Sequence, residues 1–271
     1  MQKTTSAVLA FMLLYSGIAL ADGSTLSAKG DWIYLVKTEP SVPELEAEFN
    51  RWYNDIDIPD VLAVPSFVRA RRAVGLEIGD HPDVRLKEGD GSYMALYDIA
   101  TRDIDKSIID LYVAARTMNA LGRSTDALRV VEANYYSRLA GDRLRAGDAG
   151  SDRYFLIQKI ICCVSEAGIA IYRDWFAEEI VPALRRTEGV VAVNLFELYR
   201  IMEELTVGDD ERPHLLVIHE IEAESALRAL DTMKDALNSF AVSGSRDYPK
   251  EVRDSILYKQ ATDAISNAGA Q

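Results

Sequence analysis

Trp32-Ile33-Tyr34-Leu35-Val36 is aromatic and β-branched, and reads as a strand that ends at Pro40. Apolar positions then change to helical spacing at Leu45, Phe49, Trp52, Tyr53 and Ile56, which predicts a helix from Pro43 to Ala63, kinked or ended in its regular part by Pro59. A strand follows at Phe67–Arg72. The Gly/Asp-rich stretch from Gly79-Asp80-His81-Pro82 to Gly91 is turn and loop. Tyr93–Ile99 is the next strand and Asp103–Met118 the next helix, with Ile104, Ile108, Leu111, Tyr112 and Ala115 on one face. Asp103 suits a helix start, where a carboxylate meets free N–H groups. Val130–Leu139 is a further candidate strand. The second half reads as strand Tyr154–Val164, helix Ala167–Thr187, strand Val190–Phe196, strand His214–Ile221 and helix Glu224–Leu237. Beyond Ser243 periodicity is poor, and a short closing helix is expected over Val252–Ile265.

The two halves say nearly the same thing. Trp52-Tyr53-Asn54-Asp55-Ile56-Asp57-Ile58-Pro59 is answered by Trp175-Phe176-Ala177-Glu178-Glu179-Ile180-Val181-Pro182, and an apolar strand starts fifteen residues after each Trp. Each β-α-β-β-α unit makes a sheet with both helices on one face and leaves the other face bare. Two such units cover each other by packing sheet to sheet around a barrel-like interior. The expected fold class is therefore α+β, with a first repeat over 31–139, a Gly/Asp/Arg-rich linker over 140–152, a second repeat over 153–240 and a tail over 241–271.

Residues 1–21 have the parts of a secretory signal: Lys3, an apolar run through Phe11, Leu14 and Ile18, then Ala19-Leu20-Ala21 before Asp22. About fifteen apolar residues fall short of the roughly twenty that span a bilayer. The expectation is cleavage after Ala21 and export, to a bacterial periplasm or beyond, with no stable membrane insertion afterwards; an uncleaved anchor is the alternative. Loss of Lys3 takes the net charge from −13 to −14. Such acidity argues against nucleic-acid or anionic-membrane partners, which need basic surface. The two cysteines, Cys162 and Cys163, are adjacent on a strand and point to opposite faces, so an ordinary disulfide between them is not expected. They read as small buried hydrophobes, with a vicinal redox pair or a metal site as the alternative.

The strand order, the Trp-Tyr-Asn-Asp-x-x-Ile-Pro-Asp helix end and the Val-Pro-Ser-Phe-Val-Arg-Ala-Arg-Arg strand that follows resemble the dimeric α+β barrel superfamily, and within it EthD-like proteins of ferredoxin-like topology. The resemblance covers roughly residues 31–238 and is best over 49–99. It implies tandem ferredoxin-like repeats, with one chain supplying both halves of a barrel that usually needs two. It implies only a broad range of activities: cofactor-free monooxygenases, isomerases, dehydratases, and haem enzymes of the chlorite dismutase and dye-decolorising type. Relatives commonly carry a His two residues before the Pro of the helix end. Asp57 and Ile180 stand there in this chain, which puts an imidazole mechanism at that place in doubt.

Alternation on Tyr93–Ile99 puts Tyr93, Ala95 and Tyr97 on one face and Met94 and Leu96 on the other. With Met94 and Leu96 against helices, Tyr97 would look into the barrel, opposite its counterpart His219. The pair would supply a proton donor and a base; a structural histidine bonded to a carbonyl is the bland alternative. Asp57 is a third catalytic candidate if burial raises its carboxyl pKa. Arg69 and Arg71, assigned to the face of Phe67, would clamp an anionic group, as would Lys37 or its counterpart Lys159, while Tyr93 would line the ligand. Pairing of an arginine with Asp55, Asp57 or Asp60, and a lysine reaching to solvent, are the structural alternatives. His81 and His214 lie in loops, and no metal-ligand spacing, G-x-G-x-x-G, P-loop or G-x-S-x-G occurs, so neither metal nor cofactor is expected.

These features lead to an exported enzyme that works without a tightly bound cofactor on a small aromatic or largely apolar molecule, by lyase, isomerase or dehydratase chemistry. A non-catalytic periplasmic binding protein is one alternative. A structural or assembly protein with a filled barrel is another, and association into a homodimer is compatible with all three.

Overall fold

The computed structural model describes residues 32–79, 84, 86, 90–142, 152–161, 165–201, 215–242, 251–261 and 265–266. In chain order its strands are β1 (Trp32–Pro40), β2 (Phe67–Gly75), β3 (Tyr93–Ile99), β4 (Leu128–Gly141), β5 (Arg153–Ile161), β6 (Val190–Ile201), β7 (Leu215–Glu222), β8 (Glu251–Gln260) and the short β9 (Ile265–Ser266). Pairing runs β3-β1-β4-β6-β7-β5-β8-β2, and β2 returns to β3, so eight antiparallel strands close a barrel with β9 added to β2. The first four strands lie in the order β2-β3-β1-β4 and the second four in the order β6-β7-β5-β8, which is the same order.

Each half carries a broken helix and a regular one. In the first half α1 (Glu46–Trp52) passes through a π-helical turn, Tyr53–Asp57, into α2 (Ile58–Leu62), and α3 (Ile104–Ala120) follows β3. In the second half α4 (Glu166–Trp175), a π turn at Phe176–Ile180 and α5 (Val181–Leu184) repeat the arrangement, and α6 (Ala226–Val242) follows β7. The prolines explain the π turns. Pro59 and Pro182 have no N–H, and their rings crowd the carbonyl one turn back. Widening that turn lets Ile58 N–H reach Tyr53 O and Val181 N–H reach Phe176 O, five residues back, and the helix continues past the proline. Asp103 caps α3 by accepting from Lys106 N–H.

Three cores follow from the strand alternation. One joins outward strand residues Tyr34, Tyr97 and Tyr135 to Phe49, Tyr53 and Ile58 of the broken helix and to α3. Another joins Leu156, Val193 and Leu195 to Tyr172, Phe176, Ile180 and α6. The third draws its fully buried members from strands alone, among them Leu35, Leu96, Phe155, Phe196, Leu216 and Ile218, and is therefore the barrel interior.

Two expectations are corrected here. The helix expected over Val252–Ile265 is a strand, β8, which pairs with β5 and β2 and completes the closure. Its Ile256 and Tyr258 enter the interior while Leu257 joins the second helix-side core, an alternation too short to separate from helical spacing in the sequence alone. The face assignment on β3 is also reversed: Met94 and Leu96 fill the interior, and Tyr93, Ala95 and Tyr97 face the helices. Cys162, Cys163, His81 and His214 lie outside the described residues.

Candidate active site

A bulge decides where the arginines of β2 point. Its pairing with β3 slips between Phe67 and Arg69, so Phe67 and Ala70 face the helices while Arg69, Arg71 and Ala73 face the interior. The matching slip in β6 lies between Val190 and Ala192. Arg69 and Arg71 therefore share no face with Phe67. They converge on Asp98: Arg69 Nε donates to Oδ2 at 2.6 Å and Arg71 Nη2 to Oδ1 at 2.7 Å. Arg71 also lies over the Phe155 ring and 3.8 Å from Glu220 of the other half, which accepts from Arg153 at 2.5 Å. Lys37 is equally committed. It lies 3.6 Å from Glu132, and Lys159 donates to the same carboxylate at 2.5 Å. Burial alone would raise the Glu132 pKa, but the two ammonium groups outweigh it and hold it at about 2. These residues are internal ion pairs of the barrel.

The helix-side core of the first half is different in kind. Tyr97, 1% exposed, donates from its hydroxyl to Asp57 Oδ2 at 3.0 Å, and the Tyr53 hydroxyl lies beside it. The π turn sets this up: Tyr53 and Asp57, four apart, are close to one turn of the wider helix and both face the sheet. Burial is the largest influence on Asp57 and pushes its pKa from 3.8 up to about 6. Asp60 adds to the rise, while the Tyr97 hydrogen bond and the Arg72 charge oppose it. Burial, then the Asp57 charge, likewise push the Tyr53 and Tyr97 hydroxyls well above 10, so both stay protonated donors.

Arg72 completes the cluster. It is 2% exposed and lies 4.6–4.9 Å from the centroids of Phe49, Tyr53 and Tyr93. Its Nη1 donates to Asn54 Oδ1 at 3.0 Å and its Nη2 to Asn50 Oδ1 at 2.7 Å. Both partners are neutral amides, and burial pulls the Arg72 pKa below the ordinary arginine value. Tyr93 belongs to the same group, accepting from Asn50 Nδ2 at 3.1 Å and donating to Glu46 at 2.6 Å. Asp57, Asn50 and Asn54 are half-buried, and solvent meets the cluster at their side.

His219 does not join it. The imidazole is 2% exposed in the helix-side core of the second half, with Nε2 3.0 Å from Gln158 Oε1. Tyr97 and His219 thus occupy corresponding places on outward faces of different sheets, and the expectation that both enter one cavity is not met. In the second half most counterparts of the polar cluster are apolar, Phe176 for Tyr53, Ala177 for Asn54, Ile180 for Asp57, Leu195 for Arg72 and Leu215 for Tyr93, while the exposed Arg173 stands for Asn50.

Of the residues singled out from the sequence, the structure brings together Tyr97, Asp57 and Tyr93. It places Arg69, Arg71 and Lys37 inside the barrel and His219 in the other half. Arg72, Tyr53, Asn50 and Asn54 were missed. Asn50 and Asn54 stand four apart on a helix, a spacing that puts both on one face and was readable; Arg72 was hidden by the bulge.

No protein-family model matches the chain, and no curated protein matches it. Among solved structures it is similar to an anthrone oxidase-like protein, at 14% identity over 90% of this chain and 96% of that one, with a TM-score of 0.49. It is also similar to the encapsulated DyP-type peroxidase from Mycobacterium smegmatis, at 10% identity, 87% and 94% coverage and a TM-score of 0.47. A dye-decolorizing protein from V. cholerae matches at 11% identity, 87% and 95% coverage and a TM-score of 0.42. Likeness at this level leaves activity open. Among the described residues, eight antiparallel strands close a barrel by their own pairing, with the helices carried outside it.

Proposed function

We propose that the protein is an exported, cofactor-independent enzyme that moves a proton on a small aromatic or largely apolar molecule, and that the chemistry belongs to the helix-side cluster of the first half. The two halves are read as tandem ferredoxin-like repeats, of which one has kept a polar site. The observation that carries the reading is Asp57, hydrogen-bonded to Tyr97 and held near a pKa of 6 within an aromatic cluster. A carboxylate so poised is a better base than an ordinary aspartate and is still ionised at neutral pH. Asp57 would take a proton from a C–H or O–H acid and return it at another atom in an isomerase step, or keep it while a leaving group departs in a lyase or dehydratase step. Tyr97 and Tyr53 would steady the carboxylate and donate to the substrate, and the Arg72 charge would favour the anion left by proton removal.

The test is a thermal-shift screen of the chain from Asp22 onward against small aromatic and carboxylate-bearing molecules, followed by a search for turnover of whatever binds. The expected result is a ligand whose shift survives Asp57→Asn while its turnover does not. A ligand bound equally well by a Tyr97, Tyr53 or Arg72 variant would place binding elsewhere. One observation favours a second reading: the barrel interior is given over to apolar side chains and ion pairs, as expected of a structural or assembly protein. No shift with any compound moves the weight there.

A further inference from the structure

Where the two sheets meet, the barrel interior holds polar atoms that the protein itself does not satisfy. Asn194 is fully buried, and neither its Oδ1 nor its Nδ2 has a hydrogen-bond partner. Glu220, also fully buried, uses Oε1 for Arg153 and leaves Oε2 without a hydrogen bond. Arg71, 1% exposed, spends Nη2 on Asp98, while Nε and Nη1 have no hydrogen-bond partner and Nη1 stops 3.8 Å short of Glu220 Oε2. These groups share the inner face of the barrel. Asn194 and Glu220 are on the inner face of paired strands β6 and β7, where Glu220 sits opposite Ala192, two residues from Asn194. That diagonal spacing is roughly 7–8 Å between Cα atoms, within side-chain reach. Arg71 comes to Glu220 from β2, across the interior.

The chemistry of the five atoms narrows what would satisfy them. Arg71 Nε and Nη1 and Asn194 Nδ2 can only donate, whereas Glu220 Oε2 and Asn194 Oδ1 can only accept. The network around them sets three guanidinium groups, on Arg69, Arg71 and Arg153, against three carboxylates, on Asp98, Glu220 and Glu222. An anion there would meet Glu220 Oε2 and a cation would meet the Arg71 guanidinium, so neither suits the site. A neutral molecule that both donates and accepts, and is small enough to sit among Ala192, Ile218 and Phe155, fits it. Buried unsatisfied groups are uncommon, and ordered water is their usual partner.

We propose that the interior of the barrel contains an internal water site at the seam of the two half-barrels, held by Asn194, Glu220 and Arg71, through which Arg71 of one sheet is bonded to β6 and β7 of the other. The site is independent of the Asp57 cluster, which faces the opposite side of its sheet.

Asn194→Leu tests the proposal by the sign of its effect. Leucine has nearly the same shape and no polar atoms. If Asn194 is merely an unsatisfied amide, the exchange removes a penalty and raises Tm. If it holds water for Glu220 and Arg71, the exchange strips that water of partners and lowers Tm by roughly 4 °C. A raised or unchanged Tm overturns the proposal. A wild-type crystal structure of the full chain keeps it testable should the variant not fold: water density within hydrogen-bond distance of Asn194 and Glu220 Oε2 supports it, and direct protein contacts with no water there overturn it.

Discussion

The Asp57 carboxyl makes a prediction in which stability and chemistry are read from one group. Its folded pKa of about 6 lies above the ordinary 3.8 because burial opposes ionisation. Below pH 3.8 the carboxyl is protonated in both states and costs nothing. Between 3.8 and about 6 the unfolded chain releases the proton and the folded chain keeps it, so stability falls as pH rises; above about 6 the full cost of an ionised, poorly solvated carboxylate is present. A displacement of about two pH units is worth roughly 3 kcal/mol. Asp57 is half-buried, and solvent at its open side trims this to about 2 kcal/mol. Asn at this position mimics the protonated acid and still accepts from Tyr97. Asp57→Asn should therefore match the wild type in urea denaturation near pH 4 and exceed it by about 2 kcal/mol at pH 7.5, while losing any turnover. Taking the difference between the two proteins at each pH cancels the other carboxylates. Curves that stay parallel from pH 4 to 8, or a variant less stable at pH 7.5, would refute the assignment of a raised pKa.

Three further changes probe the rest of the arrangement. Tyr97→Phe removes a hydrogen bond that holds the Asp57 pKa down, so the rise of any turnover with pH should move to higher pH, and stability should drop by about 1 kcal/mol; an unmoved profile would detach Tyr97 from the base. Glu132→Gln leaves Lys37 and Lys159 buried without their carboxylate and should cost roughly 3–5 kcal/mol at pH 7 by urea midpoint. Because the folded Glu132 pKa is depressed to about 2, that contribution is present above 4.5 and should shrink as pH falls from 4.5 toward 2; a cost that does not vary with pH would mean the charge is irrelevant. His219→Ala should lower stability by roughly 1–3 kcal/mol through the lost Gln158 contact and leave the pH dependence of turnover where it was; loss of turnover in a stable variant would return the imidazole to the chemistry.

The matched Trp-to-Pro helix ends and the matched strands that follow made the architecture legible, because they put the same broken helix and strand into each half. What alternation cannot give is which of its two faces is inside. Both faces of these strands are buried, one by helices and one by the opposing sheet, so Met94 and Leu96 suited either side and Tyr97 was placed by default. The bulge at Phe67/Arg69 compounded this. It moves Arg69 and Arg71 off the face of Phe67 and turns Arg72 toward the helices, and nothing in Phe67-Val68-Arg69-Ala70-Arg71-Arg72 marks the slip. β8 escaped for a related reason: its strand character becomes plain only once the edge between β5 and β2 has to be filled.

The difference between Tyr97 and His219 was visible in the sequence, and its meaning changes with the face it lies on. Inside the barrel it would have been two partners in one site; on the outer faces it is two sites with separate fates. Phe176, Ile180, Leu195 and Leu215 make the second an apolar core that has no use for a poised carboxylate, and His219 is left bonded to Gln158. In the first, Tyr53, Asp57, Arg72 and Tyr93 keep charge and hydroxyl groups buried at a cost that packing alone would not retain. The interior, meanwhile, is committed to joining the halves. Lys37 and Lys159, corresponding residues of the two copies, converge on the single Glu132, and Asp98 and Glu220, again corresponding residues, converge on the single Arg71. Each convergence crosses from one sheet to the other. A barrel of two like halves in one chain can give its seam to such asymmetric bridges, and that leaves a helix-side face free to specialise.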